Sequence, residues 1–145
     1  MTIRCEIVSQ DRTVFSDDVD IVVLPGAAGE MGILPKHAPV LTTLKYGVIK
    51  IRKSGKEEIF TVAGGVVEVQ PDQITILADA AENVEEIDIQ RAETARKRAE
   101  EMLARAVPQD ADAYLSLQSA LRRSTLRIDA ARRYRQSQRA RGREE

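Results

Sequence analysis

Short runs of alternating apolar and polar residues fill the first half of the chain. Over residues 2–8, Ile3, Cys5 and Ile7 fall on one side and Arg4 and Glu6 on the other, the period-two spacing of a half-buried strand. Residues 19–24 form an apolar run that meets the turn residues Pro25 and Gly26. Residues 47–53 alternate again and lead into Ser54-Gly55-Lys56, a hairpin signal. Residues 58–63, 66–69 and 73–78 predict further strands, with a bulge at Gly64-Gly65 and a turn at Pro71-Asp72. Strand-forming runs broken by turn residues about every ten positions predict an antiparallel sandwich or barrel.

The period then changes. Ile87, Ala92, Ala95, Ala99, Met102, Leu103 and Ala106 recur mostly three and four apart, which predicts a helix. Asn83 with Glu86, or Asp88 itself, supplies its N-terminal cap. Val107-Pro108-Gln109-Asp110 interrupts the pattern, because proline cannot continue a helix interior. A second helix is predicted over 112–139, with Asp110 or Asp112 as cap and Leu117, Ala120/Leu121, Ser124, Ile128 and Ala131 as its stripe. The short connection implies an antiparallel hairpin. Alanine stripes bury little area, at about 25 cal/mol per Å². Such a hairpin is marginally stable alone and suited to be a moving part.

The predicted fold class is therefore α+β, an N-terminal antiparallel β-sandwich followed by a C-terminal two-helix antiparallel hairpin, with domains over 1–84 and 85–145. Composition divides in the same way. Seven of the eight glycines lie between Gly26 and Gly65. Residues 1–84 hold 8 basic and 12 acidic side chains (net −4), and residues 85–145 hold 14 and 11 (net +3). A lone cysteine, Cys5, and a lone histidine, His37, exclude an internal disulfide and a Cys/His zinc site. No apolar run approaches the roughly 20 residues of a membrane span, and MTIRCEIVSQD lacks the apolar core of a signal peptide. A soluble intracellular chain is expected.

Catalytic constellations are missing. Gly26, Gly29 and Gly32 have the wrong spacing for a phosphate loop, with no Lys-Ser/Thr following and no helix to supply amides. His37 has no paired nucleophile, and Cys5 shares the apolar face of Ile3 and Ile7. A non-enzymatic chain is expected, with no metal and no required cofactor. The informative feature is an arginine run. Between Leu117 and Arg143 lie nine arginines, no lysine and a single acid, Asp129. Arginine favours bidentate carboxylate or phosphate recognition. This surface should attract an acidic protein surface, nucleic acid or anionic membrane. Nucleic acid is disfavoured by the acidic β unit and its scarce aromatics.

Residues 29–42 (GEMGILPKHAPVLT) resemble the signature loop of the epsilon subunit of the rotary F-type ATP synthase. So do 63–69 (AGGVVEV), 76–79 (ILAD) and the motif Ile87-Asp88-x-x-Arg91-Ala92. The resemblance covers nearly the whole chain. It departs at Lys36, where the family usually has glycine, a change expected to bear on the loop's conformation, and after Tyr134, where the basic extension is longer than in many members.

The resemblance implies a rotor subunit without catalytic residues. Its sandwich joins the gamma subunit and sits on the membrane c-ring, with Glu30, Gly32 and His37 in the contact loop. Its hairpin blocks ATP hydrolysis when extended, through basic contacts with an acidic loop of a catalytic beta subunit beside alpha; Arg122, Arg123 and Arg127 match that role. Some relatives bind ATP as a regulatory ligand on the folded hairpin. Ile87, Asp88, Arg91, Ala92, Arg98 and Arg122 are the implied site, with Ile87 and Ala92 framing the adenine and Arg122 reaching phosphate. The implied location is peripheral, on the cytoplasmic face of a bacterial plasma membrane or the stromal face of a thylakoid, with the membrane met only through the complex. The alternatives are a purely structural rotor subunit, or a basic-helix adaptor for nucleic acid or anionic lipid.

Overall fold

The computed structural model describes residues 1–105 and 110–144, and the chain divides into two compact units, Met1–Asn83 and Val84–Glu145. The first is built of strands β1 (Ile3–Val8), β2 (Thr13–Val19), β3 (Ile21–Gly26), β4 (Gly29–Ile33), β5 (Val40–Lys53), β6 (Lys56–Val69), β7 (Gln73–Ala78) and β8 (Ala81–Asn83). Neighbouring strands follow the order β2-β1-β7-β6-β5-β3-β4, with β8 also pairing β6. All pairings are antiparallel except β1 with β7.

Two 14-residue strands, β5 and β6, pair along their whole length and serve both layers of the sandwich. The later half of β6 pairs with β7, and its first half pairs with β8. The later part of β5 pairs with β3. The strands change layer near Gly64 and Gly65, whose φ angles are 84° and 138°. A Cβ on Gly65 would stand 2.3 Å from the Leu77 carbonyl oxygen, so only glycine allows the strands this close. Residues 58–63 and 66–69 are therefore halves of one bent strand rather than separate strands.

The β5–β6 turn is formed by Ser54 (φ 51°) and Gly55 (φ 77°), the left-handed pair that a two-residue hairpin requires. Asp20 secures it, its Oδ2 accepting from the Ser54 amide at 2.8 Å. In β1, Ile3, Cys5 and Ile7 are at most 1% exposed, as the alternation predicts. Around Phe60, which meets Phe15 edge to face at 5.4 Å, the core gathers isoleucines and valines from both layers.

Several elements differ from the sequence pattern. Pro25-Gly26 is not a turn; it continues β3 opposite Glu30 and Gly29. The strand tolerates proline there because its pairing with β5 is irregular between Val23 and Gly26. β4 carries two glycines and shows no alternation. β2 is an edge strand that carries charge outward, with Asp17 bonded to Lys53 Nζ at 2.7 Å and Asp18 3.5 Å from Arg4. Lys36 takes the left-handed backbone (φ 66°) that a glycine would adopt without strain.

Burial raises the Cys5 thiol from 9.0 to about 12, and neighbouring Glu6 adds to the effect. The native state holds this proton more tightly than the unfolded chain. Its contribution to stability is present below pH 9.0 and fades as pH rises towards about 12. At pH 8 a thiol-reactive disulfide should modify the native chain about a thousand-fold more slowly than the urea-unfolded chain. Rapid labelling of native protein would contradict the burial.

Candidate functional site

The second unit begins with a single turn, Val84–Glu86, followed by helices α1 (Ile89–Arg105) and α2 (Ala111–Glu144). Asp88 is the N-cap of α1. Its Oδ1 accepts from the Arg91 amide at 3.1 Å, and its carbonyl accepts from the Ala92 amide at 3.0 Å. Asp110 caps α2 in the same way, accepting from the Ala113 amide at 3.1 Å. Residues 106–109, which include Ala106 and most of the predicted interruption, lie outside the described residues.

The helices run antiparallel along a seam of small residues. Ala92 and Ala99 of α1 are buried, as are Ser124, Ile128 and Ala131 of α2. Ala95 and Met102 belong to the predicted stripe but are exposed, and Ile89, Glu93 and Arg96 are half-buried instead. The packed face of α1 is turned by about one position because a seam of alanines lets the helices approach along Ala92 and Ala99. Larger apolar side chains would have defined a different ridge.

Ile87, Asp88, Arg91 and Ala92 come together at the start of α1. Ile87 is 2% exposed and Ala92 fully buried, while Asp88 and Arg91 face outward. Arg98 is exposed two turns further along the Arg91 face. Arg122 lies on the other helix, exposed, and leaves α2 roughly opposite the Ser124 seam position. It is also offset from Arg91 along the hairpin by about 18 Å, at 1.5 Å per residue, because Glu93 pairs with Arg132 and Arg91 therefore lies level with position 134. Arg123 is exposed and Arg127 half-buried.

Polar contacts at this end were not legible from the helical period. Arg132 pairs with Glu93, the Tyr134 hydroxyl donates to Glu85, and Arg135 Nη2 donates to the Ile87 carbonyl at 3.4 Å. The Glu85 carboxylate, by accepting this bond, raises the Tyr134 pKa, and burial adds to the shift. The available signal was charge complementarity between 85–93 and 132–135 at opposite ends of the helical segment.

On the sandwich, Glu30 and Gly32 are exposed on β4, a strand rather than a loop, paired with Pro25 and Val23. His37 is half-buried after the turn that follows β4, with Nδ1 2.7 Å from the Ala38 carbonyl oxygen. That contact makes Nδ1 the protonated nitrogen of the neutral ring. Beside this loop a shallow cleft of about 460 Å³ is lined by Pro39, Leu41, Glu68 and Asp72 among others. Leu41, Val66 and Leu77 leave 73%, 38% and 55% of their surfaces exposed. Val66 and Leu77 are direct cross-strand partners, so the outer sheet face carries an apolar patch.

Among the described residues no group of His, Cys, Asp and Glu could hold a metal ion, and no helix is long and apolar enough to cross a membrane. Removing the α1 cap should show in the helices alone. Asp88→Ala is expected to destabilise the hairpin by about 1 kcal/mol, read as a lower melting temperature of the helical circular-dichroism signal. An unchanged melt would show that the cap contributes nothing.

Residues 2–84 match the family model for the β-sandwich domain of the ATP synthase delta/epsilon chain, and residues 85–132 match the model for its long α-helix domain. The ATP synthase epsilon chain of Pelotomaculum thermopropionicum is 52% identical over 104 residues, 72% of this chain and 78% of its own. That of Dehalococcoides mccartyi strain BAV1 is 45% identical over 130 residues, 89% of this chain and 91% of its own. A chain in the Euglena gracilis mitochondrial ATP synthase structure (OSCP/F1/c-ring) has the same fold, with a TM-score of 0.72 at 22% identity over 90% of this chain and 81% of its own. A chain of the Tetrahymena thermophila central stalk/c-ring structure superposes at 0.60 with 16% identity, covering 90% of this chain and 97% of its own. With both domain models matched end to end and relatives of this identity named epsilon chain, the chain belongs to the delta/epsilon family of ATP synthase, among its epsilon chains.

Proposed function

We propose that the chain is a non-catalytic rotor subunit of a proton-translocating ATP synthase, whose sandwich joins the central stalk and whose hairpin restrains ATP hydrolysis. The observation that carries this reading is the contrast between the two units. The sandwich has a continuous core of large β-branched and aromatic side chains. The hairpin is held by a small-residue seam and exposed polar contacts. Burying one isoleucine or phenylalanine contributes about 1.5–3 kcal/mol, and among the described residues of the second unit the large apolar side chains so buried are Val84, Ile87 and Ile128, against a far larger set in the sandwich. A rigid body thus carries an element that rearranges at low cost.

The sandwich offers two docking features. The apolar patch of Leu41, Val66 and Leu77 suits a lasting protein interface, which we assign to gamma. Glu30, Gly32 and the His37 loop, with polar and partly exposed groups, suit the c-ring. Membrane association then comes through the complex, at the cytoplasmic face of a bacterial membrane.

The hairpin offers two charge features. Arg122, Arg123 and Arg127 supply the basic face that meets an acidic segment of the catalytic beta subunit beside alpha. Ile87, Asp88, Arg91, Ala92 and Arg98 supply a site for ATP as a regulatory ligand. In this reading the buried Ile87 and Ala92 set the floor on which the base rests, Asp88 fixes the helix start, and the exposed Arg91 and Arg98 present guanidinium groups along one face for phosphate. Arg122 joins them only after the helices shift, since α2 presents it away from the seam and further along the hairpin than Arg91.

Two experiments separate these roles. Calorimetric titration of the isolated chain with ATP should give saturable binding that Arg91→Ala weakens ten-fold or more, because a hydrogen bond to a charged group is worth about 1.5–3 kcal/mol. Absence of binding at millimolar ATP would reduce the motif to a helix cap. In the assembled ATP synthase, reversing Arg122, Arg123 and Arg127 to glutamate should raise ATP hydrolysis several-fold. Unchanged hydrolysis would remove the inhibitory role.

A further inference from the structure

In the closed hairpin the 132–135 stretch of α2 is partly occupied by acceptor groups of the same chain. Arg132 pairs with Glu93, with 51% and 39% of the two side chains exposed. One turn away the Tyr134 hydroxyl donates to Glu85, and Arg135 donates to the Ile87 carbonyl at 3.4 Å. All three contacts join the 132–135 stretch of α2 to the segment that leads into and opens α1. Among the described residues towards the other end of the hairpin, Met102, Tyr114 and Leu115 stay 50%, 40% and 57% exposed.

We propose that Glu85 and Glu93 act as internal stand-ins for an acidic protein partner, masking the Arg132–Arg135 segment of α2 until the hairpin opens. The occupant assigned to the unmasked surface is a carboxylate-bearing protein segment, because carboxylates are what Arg132 and Tyr134 hold when closed. A guanidinium fork that grips one carboxylate cannot grip a second in the same geometry, and two carboxylates at one site repel. Closure and partner docking are therefore mutually exclusive at Arg132. The segment lengthens the basic stretch of α2 that begins at Arg122, on a different side of the helix from Arg122 and Arg123, and residues 133–144 lie past the stretch matched by the helix-domain family model. The arginines that follow, Arg139, Arg141 and Arg143, are exposed and continue the same charge. The masking rests on the inhibitory reading of the hairpin only for its consequence in the complex.

The test uses the full-length chain and fluorescently labelled poly-L-glutamate as the acidic probe. Glu85→Gln with Glu93→Gln keeps every arginine and removes the internal partners. It should bind the probe about five-fold more tightly than the natural chain, the combined worth of two partly exposed contacts. Glu100→Gln with Glu101→Gln makes the same change in net charge elsewhere on α1, where Glu100 faces Arg96 one turn back. That variant should bind as the natural chain does. Equal tightening by both variants, or by neither, overturns the masking. Exchanging Glu93→Arg with Arg132→Glu re-forms the pair in reverse and should return binding to the natural level or below; tight binding by the exchanged chain also overturns it. In the assembled ATP synthase the unmasked variant should hydrolyse ATP more slowly. Tighter probe binding with unchanged hydrolysis supports the masking and overturns the inhibitory reading, so the two fail separately.

Discussion

The close approach of β6 to β7 at Gly65 is the constraint on which the first unit is built. A side chain there would collide with the Leu77 carbonyl, and Gly64 would bring one against the Asp79 carboxylate at 2.8 Å. Because both positions lack a Cβ, β5 and β6 bend together and pass from one layer to the other without a break in pairing. That continuity places Phe60 and Val62 in one layer and Val67 and Val69 in the other, all buried in a single core. It also puts β8 and β7 on different halves of the same strand, and so determines where the chain leaves the sandwich.

The second unit follows a different energetic rule. Alanine and serine at the seam allow close helix packing but remove little apolar area from water, so polar contacts decide how the helices stay together. The Asp88 and Asp110 caps define where the helices start, while Arg132, Tyr134 and Arg135 determine which part of α2 lies beside α1. Contacts between exposed charged groups are individually weak, about 0–1 kcal/mol. Such a hairpin costs little to rearrange compared with the sandwich.

These two rules fit the requirements of an ATP synthase epsilon chain. A part that joins a rotating assembly has to keep its shape under load, which a β core of large, fully buried side chains provides. Under the proposed function, a part that restrains hydrolysis has to exchange one set of partners for another at small cost. Arginine suits the second task because it stays charged and recognises carboxylates and phosphates by the same fork.

The alternation of Ile3, Cys5 and Ile7, the Ser54-Gly55 turn, the glycine pair at 64–65 and the small-residue spacing of both helices were written in the sequence, because period and turn chemistry are local. So was the candidate site at Ile87–Ala92, whose residues are neighbours in the chain. Other features depended on the folded structure. β2 is a strand because β1 pairs with it, although its own residues include adjacent aspartates. Pro25 lies within β3 because the β5 pairing is interrupted beside it. Likewise Ala92 and Ala99 were legible as seam positions, but the exposure of Ala95 and Met102 depended on how closely the second helix approached. The clasp of Glu85 and Glu93 with Tyr134 and Arg132 joins residues about 40 to 50 positions apart. Local periodicity carries no information at that separation; the antiparallel register of the helices determines which charges meet.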